Sequence, residues 1–351
     1  MTAVTGSAPM KIFGKSIDDD VIVVAEIGVN HEGDPASAQR LLELAAEAGA
    51  DAVKFQTYTP ERFVSADDAQ RLERVRRFGL SDSDFRALAA RAAELGIGFF
   101  SSAITEDVVP LLAELGLAIK IASGDITFEP VIRAAAATGR VVILSTGAAT
   151  EAEVDRAVEW VADETGSDAL AERLVLLHCV SAYPTPFEQA NLNAIPYMAA
   201  RYQPVRVGYS NHVQGPEAVI AAVALGANLV EVHFTDCKHG REFRDHSLSA
   251  DPDDMRYLTG ILPGVRAARG SYAKMRQPCE SETVDAIRKG VVAARDLPAG
   301  TVLQASDLAY ARPGTEFPCG ELALAIGKTL GADVARGALI RHADLMEKVG
   351  Y

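Results

Sequence analysis

The chain is 351 residues long, 48% hydrophobic and 23% charged, enough apolar material for one large core and a smaller one. Its formal charge of −14 and pI near 5.0 argue against a nucleic-acid-binding surface. No apolar run reaches the roughly 18 residues of a membrane span, and the four cysteines (Cys179, Cys237, Cys279, Cys319) form no Cys-x-x-Cys pair and read as reduced thiols of a cytoplasmic protein.

Met1 to Met10 are small and polar, without the basic start and apolar middle of a signal peptide, and read as a disordered leader. With the short segment that follows they make up residues 1–20, a leader and barrel-bottom segment. The run Val21–Ala25 is β-branched and apolar, a strand buried on both faces. Glu26 then enters the apolar run, where a carboxylate is costly unless it has a partner or a task. A polar loop follows, and Asp34-Pro35 opens a helix with an Asp cap and Pro at the first helical position.

Seven further strand-like runs alternate with helical stretches. They are Ala52–Phe55, Gly98–Phe100, Ala118–Ile121, Val141–Leu144, Leu174–Leu177, Val205–Val207 and Leu229–Val232. Eight strand–helix units over roughly 250 residues predict an α/β fold, a (β/α)8 TIM barrel spanning residues 21–266. An open doubly wound sheet is the rival, but Gly28 to Gly33 is not a glycine-rich dinucleotide turn. Gly49, Gly96, Gly116, Gly139 and Gly226 end five helices and read as C-caps feeding the next strand. Residues 267–283 lack periodicity and read as a linker, and residues 284–351 as a small β-rich domain.

The strand ends carry the chemistry. Side chains alternate along a strand, so Lys54 and Gln56 share one face of the second strand while Val53 and Phe55 share the other. The apolar face meets the outer helices, which sends Lys54 and Gln56 into the barrel mouth. Lys120 repeats this on the fourth strand, ahead of Ser123-Gly124-Asp125. Two inward lysines point to a bound anion. Hydroxyls recur at successive strand ends: Ser101 and Ser102, Ser145 and Thr146, Ser181 and Tyr183, then Ser210. With glycine amides they suit phosphate or carboxylate. His212 and His233 end adjacent strands seven and eight, close enough to share one cation and leave its other positions open. His178-Cys179 competes for that role but reads as packing. His31, His239 and His246 read as rim residues, and Asp245 either acts over the mouth or belongs to a solvated charged loop.

These stretches resemble the N-acetylneuraminate (sialic acid) synthase family. The resemblance rests on Ala25-Glu-Ile-Gly-Val-Asn-His-Glu-Gly33, Val53-Lys-Phe-Gln-Thr57, Lys120-Ile-Ala-Ser-Gly124 and Ile143-Leu-Ser-Thr-Gly147. It continues through Leu177-His-Cys179, Tyr183-Pro-Thr-Pro186, Ser210-Asn-His212, Val230-Glu-Val-His-Phe-Thr235, Asp245-His246 and Arg312-Pro-Gly314. It implies a TIM barrel followed by an antifreeze-like (SAF) domain, and an enzyme that condenses phosphoenolpyruvate with an amino-sugar aldehyde and releases phosphate. By motif, Lys54, Ser102, Lys120, Ser123, Ser145, Ser181 and Ser210 would hold phosphoenolpyruvate. His212 and His233 would bind Mn²⁺ or Mg²⁺. Gln56, Tyr183, Asp245 and Arg312 would face the sugar, with Glu26 at the reacting centre. It also implies a domain-swapped homodimer in which the tail domain covers the partner's barrel.

The departures fall on the acceptor side. Asp125 stands where the family has Glu in the sugar pocket, Phe243-Arg244 replaces Gly-Pro, and Asn211 replaces Asp before the first metal histidine. The family's sugar-facing asparagine is missing, and the stretch holds Arg71, Arg74, Arg76 and Arg77 instead. Two alternatives follow: a related synthase using a phosphorylated or otherwise modified sugar, and a non-catalytic sugar-binding protein, which should have lost the lysines or histidines.

Overall fold

The computed structural model describes residues 10–346, which divide into two compact units on either side of Gly270 and Ser271. Residues 1–9 of the expected leader lie outside the described residues. Met10 itself is not leader-like: it is buried, and its carbonyl accepts a hydrogen bond from the Ile17 amide at 3.0 Å. It precedes a two-stranded hairpin, Lys11–Ile12 with Lys15–Ser16. Met10, Ile12 and Ile17 pack with Ile22, Phe100 and Leu229, inward-facing residues near the starts of the barrel strands. These apolar side chains fill the lower barrel interior, which is a packed core and not a pore.

The barrel strands are β1 (Ile22–Gly28), β2 (Ala52–Thr57), β3 (Gly98–Ala103), β4 (Ala118–Ile121), β5 (Val141–Ser145), β6 (Leu174–Cys179), β7 (Arg206–Asn211) and β8 (Leu229–His233). All pair in parallel, each with the next, and β8 closes the barrel on β1. Val53 and Phe55 face outward into the layer shared with the helices, as do Ile119 and Ile121. There they meet side chains such as Leu41, Leu42, Phe85 and Ile132. Each such buried side chain contributes about 1.5–3 kcal/mol.

Parallel register sets the neighbours at the mouth. Glu26 is level with Lys54 on one side and His233 on the other. Gln56 is level with Ser102, and Ser102 with Lys120. Cys179 is level with Ser210, and Ser210 with Glu231.

Four of the five cap glycines have positive φ, but Gly116 is extended at −130°. It is glycine for a different reason: a Cβ there would stand 2.8 Å from the Phe99 carbonyl oxygen. The last barrel helix, Pro252–Arg269, is capped by Asp251 and runs three residues into the stretch read as linker. No helix among the described residues is long and apolar enough to cross a membrane.

The second unit holds β9 (Gly290–Ala293) antiparallel to β10 (Leu308–Ala311). Single bridges pair Val292 with Leu339, Leu297 with Val334 and Val302 with Thr329. Its own small core contains Val291, Leu297, Leu303, Phe317, Leu330 and Ile340.

Candidate active site

A cavity of about 820 Å³ opens at the C-terminal ends of the barrel strands. This is the face on which barrel enzymes place their chemistry. Glu26, Lys54, Gln56, Ser102, Lys120 and Ser123 line it. From the second half of the barrel come Ser145, Tyr183, Ser210, His212, His233 and Asp245. Asp125 and Ser181 are not among its lining residues, and Arg312 belongs to the second unit.

Four charged side chains form the buried floor. Lys54 Nζ lies 2.5 Å from Glu26 Oε2 and 3.7 Å from Glu231 Oε1, with all three side chains no more than 6% exposed. Burial alone pulls the Lys54 pKa down, but Glu231 and Glu26 together outweigh it and hold the ammonium above its usual range. Lys120 is different: burial dominates and lowers its pKa, with Glu231 opposing. Glu26 and Glu231 separate in the same way. Burial raises both, yet Lys120, Lys54 and His233 together bring Glu231 below the usual carboxylate range. Glu26 stays above that range, since burial and repulsion from Glu231 outweigh its contact with Lys54. Two carboxylates thus compete for one ammonium, and the one that also faces a second lysine and accepts from Ser210 Oγ at 3.0 Å remains ionised. Glu26 is left as the floor carboxyl more inclined to hold a proton.

The hydroxyls converge on the same floor. Lys54 Nζ donates to Ser102 Oγ at 3.0 Å, and the Gly147 amide donates to Ser123 Oγ at 3.0 Å. A Cβ on Gly147 would stand 2.8 Å from Ser123 Oγ and nearer still to Ser181 Oγ. Ser181 therefore flanks this cradle from outside the main cavity. Ser145 Oγ is buried and has no hydrogen-bond partner among the described residues. Paired lysines, hydroxyls and a side-chain-free turn are the groups from which anion receptors are built.

His212 and His233 come together as predicted, with ring centroids 5.3 Å apart. His212 Nδ1 lies 2.7 Å from the Val180 carbonyl oxygen, so it carries the proton and Nε2 keeps its lone pair. Burial, then the neighbouring His233, pushes the His212 pKa down to about 3, leaving the neutral imidazole that ligates metals. Among the described residues there is no cluster of three or more His, Cys, Asp or Glu placed to hold a metal. A divalent ion at this place would draw two imidazole nitrogens from the protein and take the rest of its shell from water and substrate. Tyr183 packs on the pair, its ring 4.0 Å from His212 and 6.0 Å from His233.

Two histidines read as rim residues are interior. His31 is 2% exposed and His246 is 1% exposed. His246 Nδ1 lies 2.7 Å from Thr235 Oγ1 and its Nε2 lies 3.2 Å from Glu32 Oε1. The loop after β8 is therefore tied down, and Asp245 is held at the cavity wall by a folded turn, Asp245–Leu248, not by a solvated loop. His178 packs as predicted, its Nε2 2.8 Å from the Ala190 carbonyl oxygen. Cys179 does not merely pack; it lines the cavity, 3.6 Å from His212 Nδ1. The stretch with Arg71 to Arg77 is a helix, Ala69–Phe78. Sequence reasoning gave Glu231 no role, although it alternates with His233 on one strand and so points the same way.

The chain matches the NeuB family over residues 41–274 and the SAF domain over residues 288–346. It is 32% identical to the N,N'-diacetyllegionaminic acid synthase of Campylobacter jejuni, over 92% of this chain and 99% of that one. It is 33% identical to the N-acetylneuraminate-9-phosphate synthase of Homo sapiens, over 80% of each chain. The crystal structure of an N-acetylneuraminic acid (sialic acid) synthetase from Leptospira borgpetersenii, in complex with citrate, matches with a TM-score of 0.71 at 32% identity, covering 76% of this chain and 91% of that one. The chain belongs to the NeuB family of sialic-acid-synthase-type enzymes, transferases that carry out phosphoenolpyruvate-dependent condensation to nonulosonic acids.

Proposed function

We propose that the protein condenses phosphoenolpyruvate with an amino-sugar aldehyde of the N-acetylmannosamine kind, forming a nine-carbon 2-keto-3-deoxy acid and releasing phosphate. The observation that carries this reading is the anion receptor on the barrel floor. Lys54 and Lys120, with Ser102, Ser123, Ser145 and Ser210, present the donors that a phosphate and a carboxylate on one small molecule need.

The enol carbon of the donor forms a bond to the aldehyde carbon, and the aldehyde oxygen takes a proton to become a hydroxyl. Water then adds at the carbon bearing phosphate and gives up a proton. Collapse of that centre breaks the carbon–oxygen bond to phosphate and leaves the ketone. Glu26 suits the water's proton: it is buried, kept above the usual carboxylate range, and level with both Lys54 and His233. Asp245, Gln56 and Tyr183 line the part of the cavity left for the acceptor. A divalent ion bound by His212 and His233, Mn²⁺ or Mg²⁺, would supply Lewis-acid polarisation of the acceptor carbonyl. In this reading Arg312 reaches the acceptor from the tail domain of a second copy.

The test is phosphate release on mixing the protein with phosphoenolpyruvate, Mn²⁺ and a panel of sugars. Lys54→Ala and Lys120→Ala each remove a charge-assisted contact of roughly 1.5–3 kcal/mol, so donor affinity should fall by about one to two decades. Unchanged donor affinity in both variants would overturn the reading. Tight sugar binding without turnover would favour a binding protein on this scaffold instead.

A further inference from the structure

The floor of the cavity balances its own charge, Lys54 and Lys120 against Glu26 and Glu231. The mouth does not. Arg71, Arg74 and Arg77 project from successive turns of the Ala69–Phe78 helix and all line the cavity. No carboxylate lies within ion-pair reach of these three among the described residues, whereas Arg76, on the same helix, is taken by Glu61 at 2.8 Å. Of the acids at the mouth, Asp245 is paired with Arg244 at 3.2 Å, while Glu32 meets only the neutral His246 ring, also at 3.2 Å, and keeps its charge. Among the described residues lining the cavity, Glu32 and Glu242 are left to offset three guanidinium groups, an excess of one positive charge. A protein of net charge −14 therefore concentrates uncompensated positive charge at the mouth of its own site.

This helix is fixed in place. Leu72, Val75 and Phe78 are its buried face, and Phe78 meets Phe243 edge-on with ring centroids 5.3 Å apart. Gly33 packs so closely on the Arg77 carbonyl that no side chain could fit there. Arg71 and Arg77 also lie against the Phe63 and Phe78 rings, at 5.4 and 5.1 Å from the centroids, which limits their freedom. Guanidinium groups on a fixed element, unpaired and facing a cavity, recognise phosphate or carboxylate oxygens.

We propose that Arg71, Arg74 and Arg77 form a second anion subsite, for the acceptor. The aldehyde must reach the donor at the floor, so the other end of the acceptor points to the mouth. The acceptor of this enzyme accordingly carries an anionic group, a phosphate ester or a carboxylate, at the end remote from its aldehyde. This rests on the reading of the floor as the phosphoenolpyruvate site.

The experiment is calorimetry on the whole protein with phosphoenolpyruvate present and EDTA added, so that binding is read without turnover. N-Acetylmannosamine, its 6-phosphate and its 6-carboxylate are titrated into the wild type and into Arg71→Gln/Arg74→Gln/Arg77→Gln. At least one anionic form should bind the wild type about ten- to a hundredfold tighter than the neutral parent, and the difference should vanish in the triple variant. Which anionic form gains identifies the group. Equal binding of all three sugars to the wild type, or a preference that survives the triple substitution, would overturn the proposal. Phosphoenolpyruvate titrated alone separates the two readings. Its failure to bind the wild type would strike the floor assignment, while normal donor binding with no anion preference strikes only the subsite.

Discussion

Lys54 Nζ stands 2.5 Å from Glu26 Oε2 in a setting where neither side chain is more than 3% exposed, yet the pair is not closed on itself. Glu231 competes for the same ammonium and, backed by Lys120, is the acid that stays ionised. The two glutamates should therefore respond differently to the same change. Glu26→Gln replaces a carboxylate already inclined to hold a proton, so the fold and donor affinity should change little. Turnover should fall by at least about a hundredfold through loss of the base. Glu231→Gln leaves two buried lysines facing one acid, and breaking such a pairing costs about 3–5 kcal/mol. Its melting temperature should drop, and phosphoenolpyruvate, by returning negative charge, should restore more of it than in the wild type. Equal melting curves and equal kcat in the two variants would refute this division of labour.

The histidine pair makes a separate prediction. His212→Ala and His233→Ala should each abolish turnover that depends on added Mn²⁺ or Mg²⁺, and leave donor binding at the floor and the circular dichroism spectrum intact. His212 is fixed through Nδ1 by the Val180 carbonyl, so His212→Gln, whose amide oxygen lacks that tether, should restore at most part of the activity and need more added metal. Chelator-sensitive activity near the wild-type level in either alanine variant would contradict the assignment.

The barrel and its floor were legible because both follow from period-two alternation. Val53 and Phe55 had to face the helices, which put Lys54 and Gln56 inside, and the cavity contains both. Glu231 obeyed the same rule but stood beside a more conspicuous histidine. The interior positions of His31 and His246 were not legible. Loop residues lie at the surface by default, and these are covered through contacts between remote parts of the chain. Asn30 Nδ2, for example, donates to the Phe234 carbonyl across 204 positions at 2.8 Å. The sequence showed a run of arginines from Arg71 to Arg77, but not that Arg71, Arg74 and Arg77 share a helix that borders the cavity.

Asp125 gives a prediction about pH. Burial pushes its carboxyl pKa up to about 6, with Lys120 opposing. A pKa raised above the unfolded value of about 3.9 means the folded state holds this proton more tightly. Ionised Asp125 therefore destabilises the fold: the penalty is absent below about pH 4, grows between pH 4 and 6, and is complete above that. Asp125→Asn removes it. Allowing for partial solvent screening, the variant should be more stable than the wild type by about 1–2 kcal/mol at pH 7.5 and no more stable at pH 4. A constant difference across that range in denaturant titrations would show that the effect is not titration of this carboxyl.

The last prediction concerns how Asp245 is held. Its loop is tied to the barrel by a chain of buried contacts. His246 bridges Thr235 Oγ1 and Glu32 at 2.7 and 3.2 Å. Asn30 Nδ2 also donates to Ser249 Oγ at 3.1 Å, and Ser249 Oγ donates to the Asp245 carbonyl at 2.6 Å. The Ala250 amide donates to the His233 carbonyl at 2.7 Å, so the same clamp reaches the histidine pair. Burial lowers the His246 pKa, so its ring is neutral near pH 7 and the Glu32 contact is an ordinary hydrogen bond. None of these groups needs to touch substrate; they hold in place Asp245 and His233, to which the proposed reading gives substrate and metal contacts. Asn30→Ala and His246→Ala each leave buried partners unmade and should cost about 1–3 kcal/mol of stability. If the proposed roles hold, both should raise the acceptor KM and lower kcat through displacement of Asp245, while phosphoenolpyruvate affinity stays within about threefold, a difference of roughly 0.7 kcal/mol. A purely structural role would lower the melting temperature and leave the KM of the folded fraction unchanged, and that result would remove these residues from the mechanism.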